Sequence, residues 1–120
     1  MQAKIKNNNG VITISADVIA TLAGDAAMRC YGVVGMAVRS TKDGIANLLK
    51  RDNASKGIKV IVDEGGISVD IHVIVEYGIN IKVTSDSIIE SVKYQVENAT
   101  GFIVKQINVH VESVRVDTAN

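Results

Sequence analysis

The side chains with the greatest capacity for chemistry are two histidines and three polar residues in the second half of the chain. Asp70 and His72 stand two apart in a run that alternates between apolar and polar residues. On a strand their Cα atoms would lie about 6.6 Å apart on one side. Asn108, His110 and Glu112 repeat this spacing in a later run. If the two strands are neighbours, and no bulge precedes Glu112, these groups converge as metal ligands or as an acid–base pair.

The same alternation is typical of the solvent-facing side of a sheet, and this is the interpretation we favour. The sequence contains no G-x-S-x-G motif, no Walker-type loop and no dinucleotide-binding fingerprint. We therefore expect no enzymatic activity, no catalytic residue, no cofactor and no resident metal. Asp70, His72 and His110 are kept as the candidates for a metal site.

Two further motifs favour structural roles. Gly32 and Gly35 have the G-x-x-G spacing of loops that clamp nucleotides, but a helix stop followed by a strand irregularity explains them better. Cys30 is the only cysteine, so an internal disulfide and a four-cysteine metal site are both excluded. Because Cys30 falls on the apolar stripe of a predicted helix, we expect a buried, unreactive thiol.

Two segments with helical spacing of apolar residues must support this sheet. The first is predicted to start after the N-cap Ser15, to span residues 16–31 and to stop at Gly32. The second ends at Gly101, and its candidate N-caps are Thr84, Ser85 and Asp86. Each helix has one apolar stripe, so both should pack on the same sheet.

The remaining apolar runs predict strands. They cover residues 10–14, 33–40, 58–62, 67–77 and 102–116, and a glycine-containing turn makes the third and fourth a hairpin. In the last run the apolar residues fall at 102–104, then at 107, 109 and 111, then at 114 and 116. Because each change of phase would turn the side chains to the other side of the strand, we predict a bulge or bend at both changes.

Residues 42–51 predict a short amphipathic helix whose apolar side chains are surrounded by basic ones. This helix could simply cover the sheet, which is the interpretation we favour. Alternatively it docks a protein or a membrane surface, with Ile45, Leu48 and Leu49 as the contact residues.

Length and charge narrow the class of protein. A chain of 120 residues with 13 basic and 13 acidic side chains predicts one domain, residues 1–120, with no net charge and no nucleic-acid partner. We expect an α+β fold, namely a mostly antiparallel sheet with two long helices on one face and one short helix. Residues 1–9 are polar and predicted to be flexible. No apolar run approaches the roughly 20 residues of a membrane span, which predicts a cytoplasmic protein.

Four stretches of the chain resemble the alkaline shock protein family, also called the Gls-type cell-envelope stress response family of Gram-positive bacteria. They are GVITIS at 10–15 with DVIA at 17–20, YGVVGM at 31–36, VEYGINI at 75–81, and NATGF at 98–102 leading into Val104 and INVHV at 107–111. The matching residues are caps, glycines and core positions, so the resemblance provides no catalytic residue to transfer.

The resemblance implies a small non-catalytic protein of the cytoplasm that is linked to envelope stress. By this resemblance, some members of the family are held at the membrane through a partner protein and self-associate. We therefore expect a homo-oligomer with a membrane-anchored protein partner and an interaction or scaffold function. The alternatives are a metal-dependent or acid–base enzyme that uses the polar sheet face, and an RNA-binding adaptor suggested by the G-x-x-G spacing.

Overall fold

The computed structural model of the protein describes residues 2–39, 46–48 and 55–116. The described elements, in chain order, are β1 Gln2–Asn7, β2 Gly10–Ser15, α1 Ala16–Met28, β3 Val33–Arg39, β4 Ala46–Leu48, β5 Ile58–Asp63, β6 Gly66–Glu76, α2 Ile81–Thr100 and β7 Val104–Arg115. The expected α+β class is confirmed.

Strand β6 is the centre of the larger sheet. Strand β7 runs parallel to β6 along one edge. Parallel pairing is possible because α2 connects the end of β6 to the start of β7 and returns the chain to the other end of the sheet. The opposite edge of β6 is shared. Antiparallel β5 pairs with residues 66–71, and antiparallel β3 pairs with residues 73–75. Strand β4 then pairs with β3.

The core lies on one side of β6, where its alternating apolar side chains are almost fully buried. These are Ile67, Val69, Ile71, Val73 and Val75. Helix α1 adds Ile19 and Ala23 to this cluster, and α2 adds Ile88 and Val92. Burial of each large aliphatic side chain stabilises the fold by roughly 1.5–3 kcal/mol. Both helices therefore pack on the same side of the sheet.

Helix α1 begins as predicted but ends earlier. The Oγ of Ser15 accepts a hydrogen bond from the backbone N–H of Val18 at 3.4 Å, which confirms Ser15 as the N-cap. The helix ends at Met28 rather than at residue 31, because the last turn tightens. The Arg29 N–H bonds the Ala26 carbonyl at 3.3 Å, a short-range bond that leads the chain out of the helix.

Helix α2 begins earlier than predicted and ends where expected. Asn80 is its N-cap, with Oδ1 accepting from the Val83 N–H at 3.1 Å, so the expected caps at 84–86 lie inside the first turns. The exposed apolar residues Ile81 and Val83 lie off the buried stripe and conceal this start in the sequence. Gly101 has φ +78°, the left-handed conformation that terminates a helix, as predicted.

Both predicted irregularities of the last strand are present. The register of β7 against β6 shifts between Ile67 and Ser68, and again between Val73 and Ile74. The shifts leave Lys105 and Glu112 as the additional residues on the β7 side. Val104, Ile107, Val109 and Val111 of β7 therefore face the core, whereas Val114, after the second shift, is 41% exposed.

The N-terminal residues, expected to be flexible, instead form a strand. Residues 2–7 are β1, which pairs with β2 in a register from Gln2 opposite Ser15 to Asn7 opposite Gly10. The physical reason is that β2 offers a complete ladder of backbone partners. In addition, the side chain of Ala3 is small enough to be fully buried in the core.

The predicted short helix is wrong over residues 46–48, which form β4 and pair with β3. The backbone groups at this edge of β3 are satisfied by a strand, and this outweighs the helical spacing of a short segment. Leu48 is the last residue of β4. Ile45, Leu49 and the rest of the predicted helix lie outside the described residues.

Candidate functional site

The parallel pairing of β6 and β7 brings together the five polar side chains singled out from the sequence. His72 lies opposite His110, and Asp70 lies opposite Asn108. All of them are on the side of the two strands that faces away from the core. The condition set by the sequence, that the two strands be neighbours, is therefore met.

The two histidines stack on each other. Their ring centroids are 4.6 Å apart and the ring planes differ by 14°. In-register parallel strands hold equivalent side chains directly side by side, and this fixes the two imidazoles face to face. Because the ring faces are stacked, a partner can reach the imidazole nitrogens only in the plane of each ring.

A carboxylate lies near an edge nitrogen of each ring. Asp70 Oδ1 accepts a hydrogen bond from Asn108 Nδ2 at 2.8 Å and lies 3.9 Å from His110 Nε2. Glu112 Oε2 lies 3.9 Å from His72 Nδ1, and the Glu112 side chain is only 11% exposed. Both nitrogen–oxygen distances are too long for a hydrogen bond but within the range of an ion pair when the imidazole is protonated.

The bulge at Glu112 decides this geometry. From the sequence, we expected Glu112 to lie on the same face as His110 only if no bulge preceded it. The structure has a bulge here, because the register shifts between Val111 and Ser113. The carboxylate still reaches His72 on the β6 side. The result is two separate carboxylate–imidazole pairs, Asp70 with His110 and Glu112 with His72.

These pairs do not form a set of metal ligands as they are placed. Across residues 2–39, 46–48 and 55–116, no three His, Cys, Asp or Glu side chains are arranged to hold a metal ion. Asp70, His72 and His110, the candidates from the sequence, lie together but are not directed at one point. Each carboxylate is placed to form an ion pair with a protonated imidazole rather than a hydrogen bond.

A second feature, which sequence reasoning missed, is a groove between the two helices. Its volume is about 310 Å³, and it is lined by Ala26, Arg29, Cys30, Tyr31, Ser87, Ser91, Tyr94 and Gln95. Tyr31 and Tyr94 are 83% and 71% exposed. A signal was available in the sequence, because Ser87 and Ser91 are small residues one helical turn apart.

The minor motifs have structural roles. Cys30 is half-buried rather than buried, since it follows the shortened α1, and its thiol donates to the Ala26 carbonyl at 3.5 Å. Gly32 has φ +90° in the connection after α1. Gly35 pairs with Ile74 after a register shift in β3. A helix stop and a strand irregularity, as predicted, therefore account for the G-x-x-G spacing.

Residues 4–116 match a protein family described as having a cell envelope-related function. The chain belongs to the alkaline shock protein 23 family. The resemblance seen in the sequence is thus confirmed. The alkaline shock protein 23 match covers all the described elements from Lys4 to the end of β7, including the polar face and the groove.

Relatives of this alkaline shock protein 23 member occur in Gram-positive bacteria. An uncharacterized protein of Streptococcus pyogenes, Spy1614, is 40% identical over 117 residues, which is 97% of each chain. The uncharacterized YloU of Bacillus subtilis is 38% identical over 97% of this chain and 98% of its own. YqhY of Bacillus subtilis is 29% identical over 91% of this chain and 80% of its own. No solved structure matches the chain.

In the part of the chain that the structure describes, neither helix combines the length and the apolar character needed to cross a membrane.

Proposed function

We propose that this protein is a non-catalytic interaction or scaffold protein of the cell envelope, which acts by self-association and by binding protein partners. Family membership supports the envelope setting. The proposal places the protein in the cytoplasm, at the membrane only through a partner protein. It needs no cofactor and no nucleic acid.

The observation that carries this proposal is the position of the tyrosines. All three tyrosines of the chain are on the surface, with Tyr31 83%, Tyr77 72% and Tyr94 71% exposed. Aliphatic residues make up the buried core, so these rings contribute little to folding. Exposed tyrosine is enriched where proteins bind proteins, because it contributes a large contact area at low entropic cost.

The groove between α1 and α2 provides a surface for a protein partner. Its lining combines the small residues Ala26, Ser87 and Ser91 with the exposed rings of Tyr31 and Tyr94. Arg29 is engaged in an ion pair with Asp25 at 3.2 Å, so it adds little unpaired charge to the groove. A groove with small residues and two exposed aromatic rings is suited to bind a row of side chains that projects from a partner protein.

The test is affinity purification from native cells after mild crosslinking, with membrane and soluble fractions analysed separately by mass spectrometry. The wild-type chain should recover itself and an envelope protein. The double variant Tyr31→Ser with Tyr94→Ser should lose the envelope protein by at least about tenfold, as expected for hot-spot rings. Tyr77→Ser, which removes an equally exposed ring outside the groove, is the matched control.

Two results would contradict the proposal. Recovery of neither the chain itself nor any envelope protein removes the scaffold function. Equal losses for the groove variant and for Tyr77→Ser would show that the groove is not the contact surface. The surface around Ile45, Leu48 and Leu49 stays a predicted alternative contact, to be tested in the same experiment.

The polar face of β6 and β7 favours a second candidate, a metal-dependent or acid–base function. Its support is the pairing of each stacked imidazole with one carboxylate. Calorimetric titration with Zn²⁺ tests the metal version, with His110→Ala as the variant. Saturable binding that His110→Ala abolishes would favour the metal version, whereas the absence of saturable binding ends that version.

A further inference from the structure

The outer edge of β7 is a long strand edge that no other described strand covers. Strand β7 has 12 residues, and among the described elements it pairs only with β6. Natural proteins usually protect edge strands against further pairing with prolines, charged side chains or bulges. The chain contains no proline, and no Lys, Arg, Asp or Glu lies between Lys105 and Glu112. Residues 106–111 of β7 are therefore open to pairing with another strand.

The hydrogen bonds of β6 determine which backbone groups of β7 point to this open edge. The N–H groups of Ile67 and Tyr77 donate to the Ile103 and Arg115 carbonyls, both at 3.0 Å, so the odd-numbered residues of β6 face β7. In a parallel ladder, each such residue bonds the two residues that flank its partner, and the partner itself points the other way. The residues with outward backbone groups are therefore the partners of Val69, Ile71 and Val73, namely Ile107, Val109 and Val111.

The side chains of this stretch make it complementary to itself. Ile107, Val109 and Val111 lie on the core side, where the core covers them only in part. Asn108 and His110 alternate with them on the polar face. This pattern is symmetric about Val109, so an antiparallel copy places apolar side chains beside apolar ones and polar beside polar. Pairing of two copies would also complete the burial of the apolar row.

The two bulges of β7 select one register for such a pairing. The additional residues, Lys105 and Glu112, lie just outside the regular part of the strand. If Val109 lies opposite Val109 of a second copy, Ile107 lies opposite Val111, and all the outward-facing residues form hydrogen-bonded pairs. Moving the centre by one residue in either direction brings a bulge into the paired stretch and leaves fewer such pairs.

We propose that the β7 edges of two copies pair antiparallel about a two-fold axis at Val109, so that the two sheets continue into one. Both copies use the same stretch, and each has one β7, so the contact closes as a dimer. At each end of the contact Lys105 of one copy lies at the same level as Glu112 of the other, and no like charges meet. This inference rests on the self-association in the proposed function and assigns the surface that performs it.

A proline at the two-fold axis tests the backbone pairing. Val109→Pro removes an N–H that points away from β6, so it removes two hydrogen bonds from the symmetric dimer and none from the ladder with β6. The dimer dissociation constant, measured by sedimentation equilibrium, should rise at least about tenfold. Circular dichroism checks that the variant is folded.

Val60→Pro on β5 is the matched control. Val60 lies opposite Val69, whose backbone groups face β7, so the Val60 N–H also points away from β6. Val60 is half-buried, as Val109 is, but it lies on an edge that the proposed dimer does not use. Val60→Pro should therefore leave the dissociation constant unchanged.

Cysteine crosslinking tests the register and leaves the backbone groups in place. In the proposed register Asn108 lies opposite His110 of the second copy, with Cα atoms about 4.5 Å apart, a distance that a disulfide bridges. In a Cys30→Ser background, Asn108→Cys chains mixed with His110→Cys chains should form disulfide-linked heterodimers at least about tenfold faster than Gln106→Cys chains mixed with His110→Cys chains. Gln106 is on the same side of β7, so Gln106→Cys is the matched control. Mass spectrometry distinguishes the products.

The outcomes separate this inference from the proposed function. A wild-type chain that is monomeric at every concentration removes self-association and the inference together. A wild-type dimer that a folded Val109→Pro variant does not weaken, or whose two cysteine mixtures crosslink equally fast, leaves self-association standing and overturns the edge pairing. Loss of an envelope protein rather than of the second copy on Val109→Pro would assign the edge to a strand of that partner, and would equally overturn it.

Discussion

Two residues, Gly66 and Ile67, determine how the hydrogen-bonded ladder between β6 and β7 begins. The Ile67 N–H donates to the Ile103 carbonyl at 3.0 Å, and this bond starts the parallel ladder. Gly66, just before it, has φ +126°, a conformation that side chains rarely adopt. A Cβ at this position would lie 2.7 Å from the same Ile103 carbonyl oxygen. The absence of a side chain at Gly66 is therefore a condition for the ladder.

Gly66→Ala should destabilise the fold by about 1–3 kcal/mol, because it adds backbone strain and a contact with the Ile103 carbonyl. Gly10→Ala is the matched control, since a Cβ at Gly10 meets nothing within 4 Å. The free energies of unfolding are measured by urea titration followed by circular dichroism. Equal losses for the two variants would show that the Gly66 backbone is not constrained as described.

Asp63 contributes stability that depends on pH. The hydrogen bond from the Lys105 ammonium group, followed by that from the Gly65 N–H, lowers the pKa of Asp63 below its ordinary value of 3.8. A carboxylate with a lowered pKa in the folded state stabilises the fold above pH 3.8, and the contribution is lost as the pH falls through the lowered value.

Asp63→Asn should therefore lower the urea midpoint at neutral pH, and the difference from wild type should shrink as the pH falls below 3.8. Unfolding curves at several pH values measure this. Because the pair is exposed, salt screens it, and concentrated NaCl should also reduce the difference at neutral pH. A difference that persists in acid would assign the effect to packing rather than to charge.

At the level of elements, the caps decide where the helices begin. Helix α2 starts at Asn80, four to six residues before the caps expected from the sequence. The Asn80 side chain satisfies the Val83 N–H, a group with no partner inside the helix. Ser85 lies within the helix, so its hydroxyl has no capping role.

Asn80→Ala should cost about 1 kcal/mol of stability, the usual loss on removing an N-cap. Ser85→Ala should change the stability by only a few tenths of a kcal/mol, as in a helix interior where alanine is favoured. Thermal or urea unfolding of the two variants compares the two positions within one helix. A larger loss of stability for Ser85→Ala than for Asn80→Ala would indicate that α2 starts at the later position expected from the sequence.

On the scale of the whole molecule, the protection of backbone amides from hydrogen exchange should depend on how much structure surrounds each strand. Strand β6 is paired on both edges and has α1 and α2 packed on one side. The hairpin of β1 and β2, called the arm here, is a separate two-stranded sheet that reaches the core only at its base. Opening the arm therefore exposes far less buried surface than opening β6.

In dilute protein, amide hydrogen exchange should be slowest in β6 and fastest towards the tip of the arm, between residues 7 and 10. Mass spectrometry of exchanged peptides measures both. Protection of the arm that equals that of β6 in dilute protein would contradict this order of stability.

Local sequence signals determined the family, the α+β class, both long helices and most of the strands. The alternation in β6, the Ser15 cap, Gly101 and the two changes of phase in β7 are effects within one element, so they are legible in one stretch of sequence. The polar face could also be anticipated, because alternation fixes which side chains share a side of a strand.

Apart from the hairpin of β5 and β6, which the sequence predicted, tertiary structure alone decided which strands are neighbours. The parallel pairing of β6 with β7 stacks His72 on His110, and the bulge at Glu112 then divides the acids between the two rings. Strand β1 exists because β2 offers it a ladder, and β4 exists because β3 does the same. Backbone pairing between segments distant in sequence depends on what else is nearby, and side-chain pattern within one segment does not encode it.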